Sequence, residues 1–289
     1  MAGHEHPPEG HAPSAPSPPP GGRRGGGTLQ RMDKGRIARV VAIGSGKGGV
    51  GKSTATALLA VGLARRGLKV GVLDADITGP SIPKLFGVTG PLMDKGEGIE
   101  PARAPNGSPV VSAQFLVEDE QTPVIWRGPL VTRLIMQFFG GVNWGELDYL
   151  LIDMPPGTSD VPLTVFQTIP IDGMVFVFTP QELAALIVKK AMNMARDLHV
   201  ALLGIVENMG YLTCPHCHER IEVFGPSRVA KIAEEYGVPV VGEIPIDPAL
   251  SSLGDAGRIT DYAGPALEAY TAAFLDAMDR SKKSQLTVL

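Results

Sequence analysis

A glycine-rich segment carrying two lysines is the strongest chemical signal in the chain. It consists of Gly46, Lys47, Gly48, Gly49, Val50, Gly51, Lys52, Ser53 and Thr54. The spacing matches the phosphate-binding pattern G-x-x-x-x-G-K-[ST], placed between a strand-like run and a helix-like stretch. Glycines let backbone N–H groups wrap phosphates, and the helix N-terminus adds partial positive charge. We therefore expect Lys52 at the β- and γ-phosphates of ATP and the Ser53 hydroxyl on Mg²⁺.

The same segment also fits a second phosphate-binding pattern. Gly44, Gly46 and Gly49 match the G-x-G-x-x-G of dinucleotide-binding folds. The continuation Gly51-Lys52-Ser53 favours the first interpretation. A triphosphate with Mg²⁺ needs that lysine and that hydroxyl, whereas a pyrophosphate clamp does not.

Two aspartates end the apolar run Val70–Leu73. Asp74 and Asp76 occupy alternating positions, which point to the same side of a strand. Carboxylates at the carboxyl ends of parallel strands face the ligand crevice. One of the two is therefore predicted to hold the hydration shell of Mg²⁺, and the other to orient the attacking water.

A third aspartate ends the apolar run Leu150–Ile152. This arrangement is a Walker B pattern, which predicts Asp153 near Mg²⁺, through a water. The sequence continues as the turn Met154-Pro155-Pro156-Gly157-Thr158. We expect the Gly157 N–H to sense the γ-phosphate, because such loops order with a triphosphate and relax after hydrolysis.

Apolar runs and helix-like stretches alternate from Arg36 onward. The strand candidates are Val40–Ile43, Val70–Leu73, Val110–Phe115, Tyr149–Ile152, Met174–Phe178, Leu202–Val206 and Val238–Val241. The helix candidates are Ser53–Arg66, Leu130–Phe139, Glu182–Leu198 and Ser227–Tyr236, followed by a stripe of Leu267, Tyr270, Phe274 and Met278 that we interpret as core packing. Continuous β-branched and aliphatic runs are typical of strands buried on both faces. The pattern predicts an α/β doubly wound, mostly parallel sheet flanked by helices.

The composition of the chain changes sharply near residue 28. The first 27 residues are rich in Pro and Gly and contain no Leu, Ile, Val or aromatic residue. We predict that residues 1–35 form a disordered tail, because such a segment cannot bury enough apolar surface to offset its ordering entropy. The tail carries His4, His6 and His11, for which solvated filler is favoured over metal scavenging. Residues 36–289 are predicted to form one ATPase domain with a C-x-x-C loop.

The overall charge and composition exclude several classes of partner. The net charge is −4, from 26 Lys and Arg against 30 Asp and Glu, and aromatic residues make up 6%. This balance argues against nucleic-acid binding, which relies on basic surfaces and base stacking. The sequence has no apolar run of about 18 residues and no signal-peptide core, so we expect a cytoplasmic protein with no membrane partner.

The two cysteines lie close together, in Cys214-Pro215-His216-Cys217-His218, within the long connection predicted after Asn208. Two cysteines cannot form a disulfide framework, and the literal C-x-x-C-H haem pattern requires export. A structural zinc site usually needs a second pair, and a thioredoxin-like pair normally begins a helix in a smaller domain. An iron–sulfur cubane needs four thiolates, which two copies of the chain would supply. We interpret His216 and His218 as solvated or as hydrogen-bond donors to cluster sulfur.

The phosphate loop resembles that of the deviant Walker A ATPases, whose signature is K-G-G-x-G-K-[ST]. The resemblance implies that Lys47 reaches across a nucleotide-sandwich dimer to the partner's phosphates, where it stabilises transition-state charge. The D-x-D-x-x-G-P-S pattern is similar to switch I of that class, which makes Asp76 the water-positioning base and Asp74 the metal-side residue. The resemblance also implies an adenine contact for Asn208 and a base-side position for Pro245.

Together with the cysteine pair, the sequence resembles the Mrp/ApbC (Nbp35-type) iron–sulfur cluster carrier ATPases over residues 36–280. The marks are the phosphate loop, Asp74–Ser81, Trp126–Pro129, Asn143–Leu150, Asp153–Thr158 and the C-x-x-C. The resemblance implies a homodimer that binds ATP and holds a labile [4Fe–4S] cluster between Cys214 and Cys217 of the two chains. Scaffold proteins would donate the cluster, and apoproteins would accept it.

Two features of unrelated chemistry imply the same two-fold symmetry. Lys47 requires a partner's nucleotide, and the cysteine pair requires a partner's thiolates. Many family members also carry an N-terminal four-cysteine motif or a small α/β domain, which this sequence lacks. We therefore expect the bridging site to be its one cluster site.

Two other ATPase classes share the loop and the aspartates. A ParA/MinD-like spatial-organisation ATPase would need a basic DNA-binding surface or a C-terminal amphipathic membrane helix. The segment 279–289 is too short and mixed for such a helix. An electron-transfer ATPase like the nitrogenase iron protein also bridges a cluster, but its cysteines lie far apart in sequence. The carrier hypothesis is favoured over both.

Overall fold

The protein is described from a computed structural model of the 289-residue chain. The described residues are 32–287, except 78, 91, 95, 97, 117–127, 158–159 and 182–185. Most of the predicted tail, the motif residues Trp126 and Arg127, and Thr158 therefore lie outside the described residues.

The elements alternate between strands and helices along the described chain. The strands are β1 Ile37–Ser45, β2 Val70–Asp74, β3 Met93–Asp94, β4 Ile99–Glu100, β5 Ala102–Arg103, β6 Pro109–Ser112, β7 Leu147–Asp153, β8 Gly173–Phe178, β9 Leu202–Thr213, β10 Arg220–Ile221 and β11 Val240–Ile246. The helices are α1 Lys52–Arg65, α2 Ile82–Phe86, α3 Gly128–Gly141, α4 Asp160–Thr168, α5 Leu186–Asp197, α6 Val229–Tyr236, α7 Pro248–Asp255 and α8 Pro265–Thr287. Short 3₁₀ turns cover Ala113–Leu116 and Ile259–Asp261.

A central sheet holds nine of the described strands. Its order is β10-β9-β8-β1-β7-β2-β6-β5, with β11 also paired to β9. The pairs β1–β7, β1–β8, β2–β7, β2–β6, β8–β9 and β9–β11 are parallel, and the short strands β5 and β10 pair antiparallel at the ends. The predicted α/β class with a mostly parallel sheet is therefore confirmed. Two large apolar clusters, one on each face, explain why the central strands are apolar at almost every position.

One layer of the core packs the first and last helices together against the sheet. A Cβ on Gly62 of α1 would lie 1.9 Å from the hydroxyl of Thr271 on α8, so the two backbones approach too closely for any larger residue. Tyr270 and Phe274 of α8 are fully buried against this layer. The predicted C-terminal stripe is therefore core packing.

Several predicted boundaries differ from the structure. The strand predicted to end at Phe115 ends at Ser112, because the chain turns there into a 3₁₀ helix. The strand predicted at Val238–Val241 instead covers Val240–Ile246. Among the described strands, β11 pairs only with β9 and is therefore an edge strand. Proline has no backbone N–H to donate, and an edge strand tolerates Pro245 because its other side forms no hydrogen bonds with another described strand.

The described chain begins four residues before the predicted domain boundary at residue 36. The Met32 N–H donates to the carbonyl of Thr168 at 2.8 Å, and the Lys34 ammonium pairs with Asp172 at 2.6 Å. Asp172 also accepts the N–H of Val40. Residues 32–35 therefore belong to the folded unit, which corrects the predicted tail at its C-terminal end.

The segment Asn143–Leu150, one of the family marks, closes the end of the sheet opposite the phosphate loop. Trp144 is buried, and its indole N–H donates to the carbonyls of Phe138 and Phe139 at 3.1 and 3.2 Å. These carbonyls lie in the last turn of α3, where helix carbonyls lack intrahelical partners. Glu146 pairs with Arg36 and Lys69, which tethers the starts of β1 and β2.

The helices of the described chain include none with the length and apolar character needed to cross a membrane.

We predict that Trp144→Phe destabilises the fold by about 2 kcal/mol, because it leaves buried helix carbonyls unpaired and removes part of a packed ring. The urea midpoint of the full chain measures this change. Met93→Leu, at an exposed position, is the matched control. A loss for Trp144→Phe no larger than that of the control would contradict the capping role.

Candidate functional site

The predicted phosphate loop connects β1 to α1 and has the backbone that its glycines allow. Gly49 and Gly51 have φ values of 82° and 79°, in the left-handed region that disfavours side chains. Gly51 is the N-cap of α1. A Cβ at Gly51 would lie 2.1 Å from the amide nitrogen of Asn208, so glycine is also required by a close neighbour.

Lys52 is buried among carboxylates at the start of α1. Its ammonium lies 2.8 Å from Asp153 and 3.4 Å from Asp76. Burial alone would lower the pKa of Lys52, but the attraction of Asp153, Asp76 and Asp74 outweighs it and raises the pKa. Lys52 therefore stays charged, and the structure places it with all three predicted aspartates.

The Asp153 carboxylate accepts hydrogen bonds from three side chains near the start of α1. Its Oδ2 accepts hydrogen bonds from the Lys52 ammonium at 2.8 Å and the Ser53 hydroxyl at 2.5 Å, and its Oδ1 accepts one from the Thr56 hydroxyl at 2.8 Å. A phosphate and its Mg²⁺ would need the same ammonium and hydroxyl. The donors and acceptors of the predicted nucleotide site therefore satisfy one another in this structure.

Asp74 lies at the end of β2, fully buried beside Asp153. Its carboxylate accepts from the Asp76 N–H and the Ser112 hydroxyl, both at 3.1 Å. Burial and the neighbouring Asp153 raise the pKa of Asp74 well above its usual value. The site therefore places two buried carboxylates side by side, an arrangement that favours a cation between them.

The remaining loop residues lie around this centre. Lys47, Gly48 and Gly49 are exposed at the outer edge of the loop, whereas Gly46 and Val50 are buried and Thr54 is half-buried. The Lys47 carbonyl accepts a hydrogen bond from the Ser45 hydroxyl at 2.9 Å. Lys47 is therefore placed where a second molecule could meet it.

The turn after β7 contacts the phosphate loop directly. Gly157 has a φ of 84°, and its N–H donates to the carbonyl of Ser45 at 3.0 Å. That N–H is therefore engaged within the protein here. Its predicted role at the γ-phosphate would require this bond to open.

Asn208 lies inside β9 rather than in a connection after a strand ending at Val206. Its side chain is buried, and its amide N–H donates to the carbonyl of Val50 in the phosphate loop at 2.8 Å. Pro245 is buried in the adjacent strand β11. Both residues therefore lie beside the loop, and their contacts with a base stay predictions.

The cysteine pair occupies the turn of a β-hairpin, which corrects the predicted long connection. The antiparallel strands β9 and β10 flank it, and the Cys214 N–H donates to the carbonyl of Glu219 at 2.9 Å. The His218 N–H donates back to the Cys214 carbonyl at 3.0 Å, and His218 has a φ of 62°. The tight turn leaves Cys214 half-buried and Cys217 exposed.

The hairpin turn favours the thiolate form of Cys214 over what a free cysteine would show. Hydrogen bonds from the N–H groups of Cys217 and His216 and from the Cys217 side chain lower the pKa of Cys214. Among the described residues, no group of three or more His, Cys, Asp and Glu side chains is arranged to hold a metal ion. The described part of the chain places two free thiols at this turn, and their role as metal ligands stays a prediction.

Two hydroxyl residues of the site were not predicted. Thr56 lies one helical turn after Lys52 and therefore faces Asp153, which the i, i+4 spacing could have indicated. Ser112 ends β6 in register with Asp74. Its position, as a polar residue directly after the apolar pair Val110–Val111, could have indicated that it faces the site.

The fold and this arrangement define the class of the protein. A parallel sheet, a glycine loop leading into a helix, and Lys52 and Ser53 on the Asp153 carboxylate are the features of a P-loop NTPase. The chain belongs more narrowly to the family described as NUBPL iron-transfer P-loop NTPase, whose model matches residues 36–279.

Two well-matched proteins agree with this assignment. An iron–sulfur cluster carrier protein of Clostridium perfringens is 47% identical over 236 residues, which cover 79% of this chain and 83% of that protein. A solved nucleotide-binding protein from Archaeoglobus fulgidus, in complex with ADP, is 49% identical with a TM-score of 0.72. That match covers 81% of this chain and 91% of the other.

A cell-division ATPase, MinD of Pyrococcus furiosus, is similar in fold alone. It is 23% identical, with a TM-score of 0.56 over 85% of this chain and 99% of its own. The family assignment favours the carrier hypothesis over the alternative of a spatial-organisation ATPase.

We predict that Asp74→Asn raises the thermal midpoint of the nucleotide-free protein at pH 8. The raised pKa of Asp74 means that its ionisation is unfavourable in the fold, so this group's contribution to stability is lost as pH rises through its folded pKa. The gain for the Asn variant therefore shrinks as the pH falls towards 5. Thermal unfolding scans across this range measure it, and a gain that grows at low pH would contradict the burial argument.

Proposed function

We propose that this protein is a slow ATPase that carries a [4Fe–4S] cluster between scaffold donors and apoprotein acceptors, with the cluster bridged between two copies of the chain. The observation that carries the proposal is the pair of thiols at the exposed turn of the β9–β10 hairpin, on the strand that also contacts the phosphate loop. A cubane needs four thiolates, and two such turns supply them.

The nucleotide half of the proposal rests on the groups around Asp153. Lys52 would exchange Asp153 for the β- and γ-phosphates of ATP, and the Ser53 hydroxyl would hold Mg²⁺, with Asp153 and Asp74 close to it. Mg²⁺ would neutralise charge on the phosphates and on the leaving group. Asp76, which is 3.4 Å from the Lys52 ammonium, would position the attacking water.

The homodimer is supported by two surfaces. Lys47 is exposed at the edge of the loop, where it could reach a partner's nucleotide. Near the cysteine turn, Ile221, Val223 and Phe224 are 46%, 48% and 40% exposed, which is unusual for large apolar residues. A second copy would cover these side chains and shield the cluster from water.

The cluster is cargo in this proposal. The turn suits it, because backbone N–H groups directed at Cys214 stabilise a thiolate and because the exposed Cys217 can exchange ligands with another protein. Donor scaffolds and acceptor apoproteins of the cytoplasm would approach the same exposed turn.

We predict that anaerobic reconstitution with iron and sulfide loads about four irons per dimer, as expected for Cys₄ ligation of a cubane. Iron content and the broad visible absorbance of the cluster are measured on the wild type and on Cys217→Ala. The variant should lose both, because a dimer would keep two thiolates. If the wild type retained zinc and bound no iron, the carrier proposal would be disproved.

We also predict that Lys47→Ala lowers ATP turnover by about 10³-fold, the lower range for a charge supplied across an interface. The thermal midpoint should stay unchanged, because Lys47 is exposed. Lys231→Ala is the control, since Lys231 is exposed on α6, outside the nucleotide site. Turnover equal to that of the control would show that Lys47 does not act on the nucleotide.

A further inference from the structure

A single strand leads from the phosphate loop to the cysteine turn. Strand β9 runs from Leu202 to Thr213, and Cys214 follows directly. Asn208, in the middle of the strand, donates its amide N–H to the carbonyl of Val50 in the loop. A displacement of Asn208 would therefore be transmitted along the backbone of β9 to Cys214.

The strand is irregular immediately after Asn208. Met209 has a φ of 57°, in the left-handed region that a methionine rarely adopts and that no regular strand contains. The pairing of β9 with β11 shifts at the same place, from Asn208 opposite Ile244 to Leu212 opposite Ile246. Strand β9 therefore carries extra residues here, as in a β-bulge.

The residues before Met209 hold it in this conformation. Asn208 is buried and bonded to the loop, and the buried Glu207 accepts a hydrogen bond from the Ser227 hydroxyl at 2.9 Å. A Cβ on Gly210 would lie 3.0 Å from the Glu207 carboxylate, so the backbone folds back closely on this side chain. Unfavourable backbone conformations persist where surrounding contacts determine them, and they cluster at switches and functional sites.

The residues beyond the bulge form one unit with the cysteine turn. The Arg220 guanidinium of β10 lies 3.6 Å from the centre of the Tyr211 ring of β9. Arg220 also pairs with Glu243 of β11. Because the Tyr211–Arg220 contact joins both strands of the hairpin, a rotation at Met209 would move the turn as a body. The Arg220–Glu243 pair links the hairpin to β11 at the surface and would open in that movement.

We propose that Met209 is a strained positioning residue that couples the nucleotide site to the orientation of the cysteine pair. The inference rests on the proposed function in one respect, that a nucleotide occupies the loop. The bond between Asn208 and Val50 holds Met209 in the left-handed conformation. When a nucleotide draws the Asn208 amide away from Val50, Met209 returns towards the extended conformation and displaces the hairpin.

The driving force is the difference between the two backbone states of residue 209. A ligand shifts such an equilibrium only through contacts that differ between the states, and the Asn208 amide supplies that difference by exchanging one partner for another. Glycine adopts the left-handed and the extended backbone conformations almost equally well. Met209→Gly would therefore remove the energy difference that favours the return to the extended conformation. Met209→Ala loses the same side-chain packing but keeps the preference against a positive φ.

The test uses the iron-free full chain, with Mg²⁺ and ADP as the ligand and iodoacetamide as the thiol probe. Alkylation rates of Cys214 and Cys217 are resolved by mass spectrometry with and without ADP. We expect ADP to change the Cys214 rate by at least about fivefold in the wild type and in Met209→Ala, the lower end of typical coupling between sites. In Met209→Gly the two rates should agree within about twofold while ADP still binds.

Three outcomes would overturn the proposal. These are an unchanged ADP effect in Met209→Gly, a lost effect in Met209→Ala, and a wild type whose thiols do not respond to ADP. If either variant is poorly folded, amide hydrogen exchange of the wild type at residues 209–214 decides the matter, because ADP must change it. None of these measurements uses iron, so they remain decisive even if the reconstitution experiment disproves the carrier function.

Discussion

The site is organised by the need to balance the charge of three neighbouring carboxylates, two of them fully buried, at one edge of a parallel sheet. Asp74 and Asp153 end adjacent strands in register with each other, and Asp76 lies two residues after Asp74. Buried charges of one sign need a cation and hydrogen-bond donors. The Lys52 ammonium and the hydroxyls of the first turn of α1 meet this need. The phosphate loop, the first helix and three strands are thus held together by the same charges that a metal and a triphosphate would engage.

Much of this arrangement was predictable from local chemistry. Parallel strands with continuous apolar runs end at one edge, so the positions of Lys52, Asp74, Asp76 and Asp153 followed from the runs that precede them. The additional hydroxyls did not follow as easily, because a lone Ser112 or Thr56 gains meaning only when its neighbour across the sheet is known. The fold class required only the alternation of apolar runs with helical stretches.

The least predictable part was the path from Asn208 to the cysteines. Periodicity ended the strand at Val206, because Glu207 and Asn208 are polar and Gly210 weakens a strand pattern. The structure extends β9 to Thr213, because Asn208 finds a partner in the loop and Glu207 finds one in Ser227. Val50 is 158 residues from Asn208 and Ser227 is 20 residues from Glu207, so tertiary contacts overrode the local pattern. The helices α2, α4 and α7 were missed for a related reason, since each is short and is defined by its neighbours.

The position of the two thiols at the tip of a hairpin has a consequence for how such a carrier would behave in a cell. A site completed by two molecules obeys mass action, so the fraction of chains holding cargo depends on the concentration of the protein as well as on iron supply. Dilution alone would favour release, whereas a locally crowded pool of chains would favour retention. Changes in the protein's abundance would then alter carrying capacity more steeply than in direct proportion.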